Sequence, residues 1–268
     1  GSCGKLAIVA GSEGFAGAGE LCAKAAVRCG AGLVTVGVPH TLMEVYQAKF
    51  TEPMTLALPS RDGKICMDAL AAINKLTEKR DAVAIGPGLG RSRDLQSVLE
   101  HAVKTVKSPL VIDADGLNNL EGNTKWLLER KGATVLTPHP VELARLLGCD
   151  AEAVLEAPVE SAEKMSKEYG AVVALKCGTN IVASPDGQTT FCLSGNAGMA
   201  TGGSGDVLTG VILALLGSGL SAYDAARIGC HINGCAGDMA AEKYGERSMI
   251  PSDTIEALPE AIEAMSEC

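Results

Sequence analysis

Short apolar runs alternate with longer stretches of helical period along the chain, and the alternation persists almost from end to end. Runs such as LAIVA at 6–10 and AVAI at 82–85 are uniformly apolar, which is the pattern of parallel strands buried on both faces. They predict strands at 6–10, 33–38, 54–58, 82–85, from 110, at 133–136 and at 171–175. Segments 181–184 and 189–193, joined by Asp186-Gly187, predict an antiparallel hairpin at the sheet edge. Helical periodicity falls at 18–29, 42–49, 68–77, 95–106, 151–169, 207–216, 222–244 and 253–266. Strand and helix in alternation give an α/β chain, a three-layer αβα fold with a largely parallel central sheet. No repeat, low-complexity linker or shift in composition divides it, so 1–268 reads as a single domain.

The densest local signal is the stretch from Gly195 to Gly217, with glycines at 195, 198, 202, 203, 205, 210 and 217 before an apolar helix from Val207. A glycine loop opening a helix presents unpaired backbone N–H groups and the positive end of the helix dipole to an anion. Asp206 stands at that helix start, where a carboxylate is either a general base beside an anion cradle or an ordinary helix N-cap after a glycine loop. Other chemistry gathers at predicted strand ends. GSEGFAGAG follows the first strand but lacks the lysine of a P-loop. GPGLG at 86–90 is a sharp break after a strand. Asp113 and Asp115 end the next strand, where they could bind a metal, cap a helix or be solvated. His139 lies between two prolines, which keep it out of strand and helix interior and hold it in a rigid turn. Glu142 follows it in a first helical turn, where the dipole favours it. Lys176 to Asn180 ends the strand at 171–175.

The string GNAGMATGGSGDVLTG resembles the signature of the ADP/ATP-dependent NAD(P)H-hydrate dehydratases, members of the ribokinase-like superfamily, and the likeness runs from Lys5 to about Gly245. The family shows Pro where this chain has Ala197 and Thr where it has Ser204, both mild departures. The resemblance implies a ribokinase-like fold with Asp206 as catalytic base. It places the substrate, hydrated NADH or NADPH, against Ala18, Gly88, His139 and Asp206. It places the nucleotide against Lys176, Cys177, Gly178, Thr179 and Asn180, and against Asn196, Thr201, Gly202, Gly203, Ser204 and Gly205. The family pattern Lys-Gly-x-x-Thr is altered here at Cys177 and Asn180, and a Cβ at 177 limits how closely backbone can approach a phosphate. An acid matching Asp113 lies near the phosphates in ribokinase-like chains, and Glu142 would reach a magnesium ion through water. The MATGGSGDVLTG form is similar to bacterial members, which implies ADP in preference to ATP as phosphoryl donor. The family also implies an epimerase domain or partner, and a homotetramer. A ribokinase-like kinase of a vitamin precursor, such as a hydroxymethylpyrimidine or hydroxyethylthiazole, is the alternative with the same G-x-G-D site. A non-enzymatic nucleotide sensor would be expected to lack the aspartate that this chain retains.

Composition narrows the partners. The 268 residues are 47% hydrophobic and only 3% aromatic, which suits closely packed helices on a sheet and not a base-stacking surface. A net charge of −9 offers no general attraction to nucleic acid or anionic membrane, so any phosphate must be held by local donors. The ten cysteines show neither C-x-x-C pairs nor zinc spacing and read as reduced thiols of a cytoplasmic protein. No apolar run is long enough to span a bilayer. The opening GSCGKL stands one step before a strand, and Gly1 and Ser2 read either as tag residues or as the cut edge of a longer protein.

Overall fold

A computed structural model describes residues 3–266, so Gly1 and Ser2 lie outside the described residues. The elements run β1 (Lys5–Val9), α1 (Ala16–Arg28), β2 (Leu33–Pro39), α2 (Met43–Lys49), β3 (Met54–Leu58), β4 (Ser60–Arg61), β5 (Lys64–Ile65), α3 (Leu70–Thr77), β6 (Ala82–Ile85) and α4 (Arg93–Thr105). They continue with β7 (Leu110–Ile112), α5 (Asp115–Leu120), β8 (Thr134–Leu136), α6 (Pro140–Leu147), α7 (Ala151–Glu156), α8 (Pro158–Tyr169), β9 (Val172–Leu175), β10 (Asn180–Ala183), β11 (Thr189–Cys192), α9 (Ser204–Gly217), α10 (Ala222–Tyr244) and α11 (Pro251–Ser266).

One nine-stranded sheet has the order β11-β10-β9-β8-β7-β6-β1-β2-β3. The seven strands from β9 through β3 are parallel, and β10 and β11 return antiparallel at the edge, as the sequence predicts. Alternate residues of each strand feed opposite layers. Ala7 and Val9 pack with Ile73, Leu99, Leu143 and Met165 of α3, α4, α6 and α8. Leu6 and Ile8 pack with Cys22, Ile212 and Ala226 of α1, α9 and α10 on the other face. A further apolar layer joins α1, α9 and α10 to α11 through Val211, Ala236 and Leu258.

Three differences from the sequence reading have local causes. The helix expected over 151–169 is broken at Ala157, which takes φ −135° and ψ 63° because the following Pro158 disfavours helical geometry in the residue before it. Helix α5 was masked by the acidic, glycine-containing string DGLNNL. The small antiparallel pair β4–β5 stands apart from the main sheet, directly after β3. All the parallel strands point their carboxyl ends to one edge of the sheet, and the loops there carry the site.

Candidate active site

The site is built from five strand ends and the start of α9. The β6 and β7 ends cross at a distance only glycine permits: Gly86 has φ +136°, and a Cβ there would lie 1.8 Å from the Asp113 carbonyl oxygen. Ala114 follows with φ +47°, an uncommon conformation for a residue with a side chain, between the two aspartates. This turn drives the Asp113 side chain into the interior and leaves Asp115 at the surface end of α5.

Asp113 is fully buried and both its carboxylate oxygens are hydrogen-bonded. Its Oδ1 accepts from Thr137 Oγ1 at 2.7 Å and Lys176 Nζ at 2.8 Å, and its Oδ2 accepts from Thr209 Oγ1 at 2.7 Å. It therefore ties β7, β8, β9 and α9 together and fixes the Lys176 ammonium. Burial works against that ammonium, but Asp113 and then Glu142 outweigh it and hold the lysine above its ordinary pKa. The ammonium abuts the start of α9, 3.0 Å from where a Cβ on Gly205 would stand. Asp115 does not cap α5 as the sequence suggests, since Ala114 stands at the N-cap and no side chain caps the helix; instead its Oδ2 accepts the Gly90 N–H at 2.8 Å, tying the loop after β6 to the helix start, and its Oδ1 accepts the Asn118 side-chain amide at 3.1 Å.

Helix α9 begins at Gly203, whose φ of +104° turns the chain into the helix. The first i→i−4 bond runs from Val207 N to Gly203 O at 3.1 Å, so the N–H groups of Gly205 and Asp206 precede the ladder and face the dipole's positive end outward. A Cβ on Gly202 would meet nothing within 4 Å, so the loop is open on that side. Thr201 Oγ1 and Ser204 Oγ lie 3.3 Å apart across it. The Asp206 carboxylate accepts no hydrogen bond among the described residues. Burial, with the Asp113 charge adding and Lys176 opposing, pushes it up to about 7.

His139 caps α6. Its Nδ1 accepts from Val141 N at 3.1 Å and Glu142 N at 3.3 Å, while Glu142 Oε2 accepts from His139 N at 2.9 Å. The reciprocal box leaves the ring neutral with its proton on Nε2, and burial followed by the Lys176 and Arg145 charges lowers its pKa accordingly. Glu142 is 5% exposed, and burial pushes it up to about 7 against the pull of Lys176.

Ala18 and Gly88, expected together, are together: a Cβ on Gly88 would lie 3.0 Å from that of Ala18 and 2.6 Å from the Phe15 carbonyl oxygen. Ser12 Oγ donates to Gly88 O at 2.8 Å and secures the pairing. In the 176–180 loop, the Cys177 thiol turns back to the Thr179 carbonyl at 2.9 Å, and Asn180 Oδ1 accepts the Cys177 N–H at 3.3 Å. The two departures from the family pattern thus answer each other within the loop, and Gly178 remains open, with nothing within 4 Å of a Cβ there. Asn196 is a cap: its Oδ1 accepts from Gly198 N at 3.0 Å and its Nδ2 donates to Asp238 Oδ1 at 2.9 Å.

Thr137, Thr209 and Asp238 escape the sequence reading. Thr209 carried a signal, a hydroxyl inside an otherwise apolar buried helix; Thr137 stood at a strand end beside the more conspicuous His139. Asp238 lies 42 residues from its partner Asn196, and only the fold brings them together.

A family model described as NAD(P)H-hydrate dehydratase matches residues 6–260. The chain is 42% identical over 265 residues to a bifunctional NAD(P)H-hydrate repair enzyme of Moorella thermoacetica, covering 98% of this chain and 50% of that protein. It is 38% identical over 255 residues to an ADP-dependent (S)-NAD(P)H-hydrate dehydratase of Neisseria meningitidis, 91% of this chain and 80% of that one. It spans about half the length of the bifunctional relatives it matches. Among solved structures, an ADP/ATP-dependent NAD(P)H-hydrate dehydratase of Bacillus subtilis co-crystallised with ATP and Mg2+ superposes with a TM-score of 0.86 at 26% identity, over 98% of this chain and 90% of that one. Arabidopsis thaliana ribokinase shares the fold alone, with a TM-score of 0.61 at 14% identity over 96% of this chain and 99% of that one.

Proposed function

The chain belongs to the NAD(P)H-hydrate dehydratase family, and on that premise we propose that it returns the S form of hydrated NADH or NADPH to the reduced dinucleotide at the expense of ADP. The observation that carries the reading is the meeting of an unengaged carboxylate, Asp206, with a fixed ammonium, Lys176, and free N–H groups at one helix start. That is the equipment for moving a phosphoryl group onto a hydroxyl.

Asp206 takes the proton of the ring hydroxyl, whose oxygen then bonds to the terminal phosphorus of ADP as the bond to AMP breaks. The N–H groups of Gly203 and Gly205, with Lys176, stabilise the charge on the transferred group, the Ser204 N–H being bonded to the Thr201 carbonyl at 3.3 Å. The ring nitrogen lone pair then expels phosphate, and loss of a proton from the neighbouring carbon restores the double bond. Asp113 does not react; it holds Lys176 in place. The nucleotide lies with its terminal phosphate at Gly203 to Gly205 and its adenosine over the 176–180 loop towards α10. The hydrated ring lies opposite, bounded by Ala18, Gly88 and His139, whose Nε2 is 3.6 Å from Glu142 Oε1.

No group of three or more His, Cys, Asp or Glu side chains is assembled for a metal among the described residues. Glu142 alone, with one oxygen already on the His139 N–H, fits a Mg2+ held mainly by nucleotide phosphates and water. Such an ion would neutralise phosphate charge. Single-domain organisation over 1–268, a cytoplasmic setting, a homotetrameric assembly and an epimerase supplied by another domain or protein complete the reading. No helix among the described residues is long and apolar enough to cross a membrane.

The test is an assay of hydrated NADH with ADP or ATP, followed at the absorbance of the reduced ring. Recovery with ADP, faster than with ATP, is expected. No recovery with either donor would overturn the function, and much faster turnover with ATP would overturn the donor choice alone. A vitamin-precursor kinase would leave the hydrate untouched.

A further inference from the structure

The β4–β5 hairpin belongs to neither the sheet nor the nucleotide half of the site, yet it is bound to the Ala18–Gly88 side. Glu13 N donates to Gly63 O at 2.9 Å, joining the hairpin tip to the loop after β1. The stem of Lys64 crosses the loop after β6: its Cε and Cδ lie 3.0 and 3.5 Å from where a Cβ on Gly90 would stand, and Ser12 Oγ is 3.6 Å from the same point. The ammonium donates to the Arg91 carbonyl at 3.3 Å and has no carboxylate partner among the described residues.

Among the described residues Arg145 shares that freedom on the other side of the site, where it donates to the Asn118 side-chain oxygen at 2.8 Å, but other cations at this end are paired. Lys176 is held by Asp113, Arg91 by Glu121 and Arg61 by Asp68. Asp113, Asp115, Glu142 and Asp206 make the centre acidic, and the chain as a whole carries a net charge of −9. A dinucleotide brings a diphosphate into this field. Its two charges require a cation that is neither neutralised nor committed to the phosphoryl donor, on the ring's side of the site. Against the same loop after β6, Phe15 is 61% exposed, and its Cβ is 3.1 Å from where a Cβ on Gly88 would be, two residues before the Gly90 that Lys64 crosses. An aromatic so exposed in a chain with only three phenylalanines offers an apolar face at the lip of the same subsite.

Resting on the dehydratase reading, we propose that the β4–β5 hairpin and the Ser12 to Phe15 turn form the recognition wall for the dinucleotide, in which the Lys64 ammonium binds the substrate's diphosphate and the Phe15 ring covers the adjoining sugar and ring. Lys64 acts as a point charge and takes no part in the phosphoryl transfer.

The experiment compares the wild-type chain with Lys64→Gln and Lys64→Arg, in steady-state assays with hydrated NADH and ADP and in calorimetric binding of NADH, the product, at low and high salt. Lys64→Gln is expected to raise the KM for the hydrate by about 10-fold or more with kcat changed by less than about 3-fold. The KM for ADP and the melting temperature stay unchanged, NADH binding weakens in parallel and loses part of its salt dependence, and Lys64→Arg restores most of the affinity. A Lys64→Gln enzyme whose hydrate KM and NADH affinity both stay within about 2-fold of wild type, or one whose ADP KM rises as much as its hydrate KM, would overturn the proposal. Should the wild-type chain bind NADH in a Lys64-dependent way without dehydrating the hydrate, the dehydratase reading falls and the recognition wall stands.

Discussion

At the scale of single residues, the site is governed by one carboxylate that is satisfied and one that is not. Asp113 has its three partners and Asp206 has none, although both lie in the same acidic centre. Burial keeps Asp206 protonated up to about 7 in the free protein, against an ordinary value of 3.8. A base must be unprotonated to act, so kcat/KM is expected to rise with pH through about 7 and then level off. The stability linkage has the opposite sign from that of a paired acid. Between pH 4 and 7, roughly, the folded protein holds a proton that the unfolded chain has released, so this group costs stability increasingly as pH rises through that window. Asp206→Asn removes the cost. Its melting temperature should exceed that of the wild type by roughly 3 °C or more at pH 8, with a smaller gain at pH 5. Scanning calorimetry at the two pH values checks this, and an equal or lower melting temperature at pH 8 would show that Asp206 is not strained by its setting.

At the scale of elements, everything turns on how α9 begins. Gly203 sits at φ +104°, and a Cβ there would press on Leu21 Cδ1 at 2.6 Å and Pro251 Cγ at 3.2 Å, tying the turn to α1 and α11. Gly203→Ala should therefore cost about 1–3 kcal/mol in urea denaturation and lower turnover, because the strain is relieved only by moving the helix start. Full stability and full activity in that variant would contradict the geometry given to the cradle. Much of this element was legible in the chain, since a glycine string followed by Asp206 and an apolar run has few other meanings. The parallel strands and the edge hairpin were equally legible, because uniformly apolar runs and the Asp186-Gly187 turn report on their own surroundings. The hairpin at Ser60 to Ile65 was not, because each of its strands is two residues long and no period can show in so short a span. The break at Ala157 could have been read from Pro158. The Asp113 cluster could not be assembled from sequence at all, because Thr137, Lys176 and Thr209 lie 24, 63 and 96 residues away. Sequence named two of its four members and left their contact unseen.

At the scale of the whole molecule, the sheet ends on one side in β11, an edge strand that carries Phe191 at 52% exposure and is followed directly by Leu193 at 85%. An apolar edge with unpaired backbone groups is a surface that proteins cover. Light scattering at micromolar concentration should accordingly give a species well above 27.4 kDa, and four times that mass for the proposed tetramer; a 27.4 kDa particle would rule the assembly out. In the proposed reading the five strand ends, the β4–β5 hairpin and α9 bring a dinucleotide and a nucleotide to one carboxylate. The central claim is that Asp206 starts a phosphoryl transfer that ends in dehydration. Its most direct measurement is a quenched time course of hydrated NADH with ADP, counting AMP, inorganic phosphate and reduced dinucleotide for the wild type and Asp206→Asn. All three should form in equal amounts with the wild type, while the Asn variant binds ADP normally and turns over at less than about a tenth of the wild-type rate. A stable phosphorylated dinucleotide accumulating without reduced product, or an Asn variant faster than that, would contradict it.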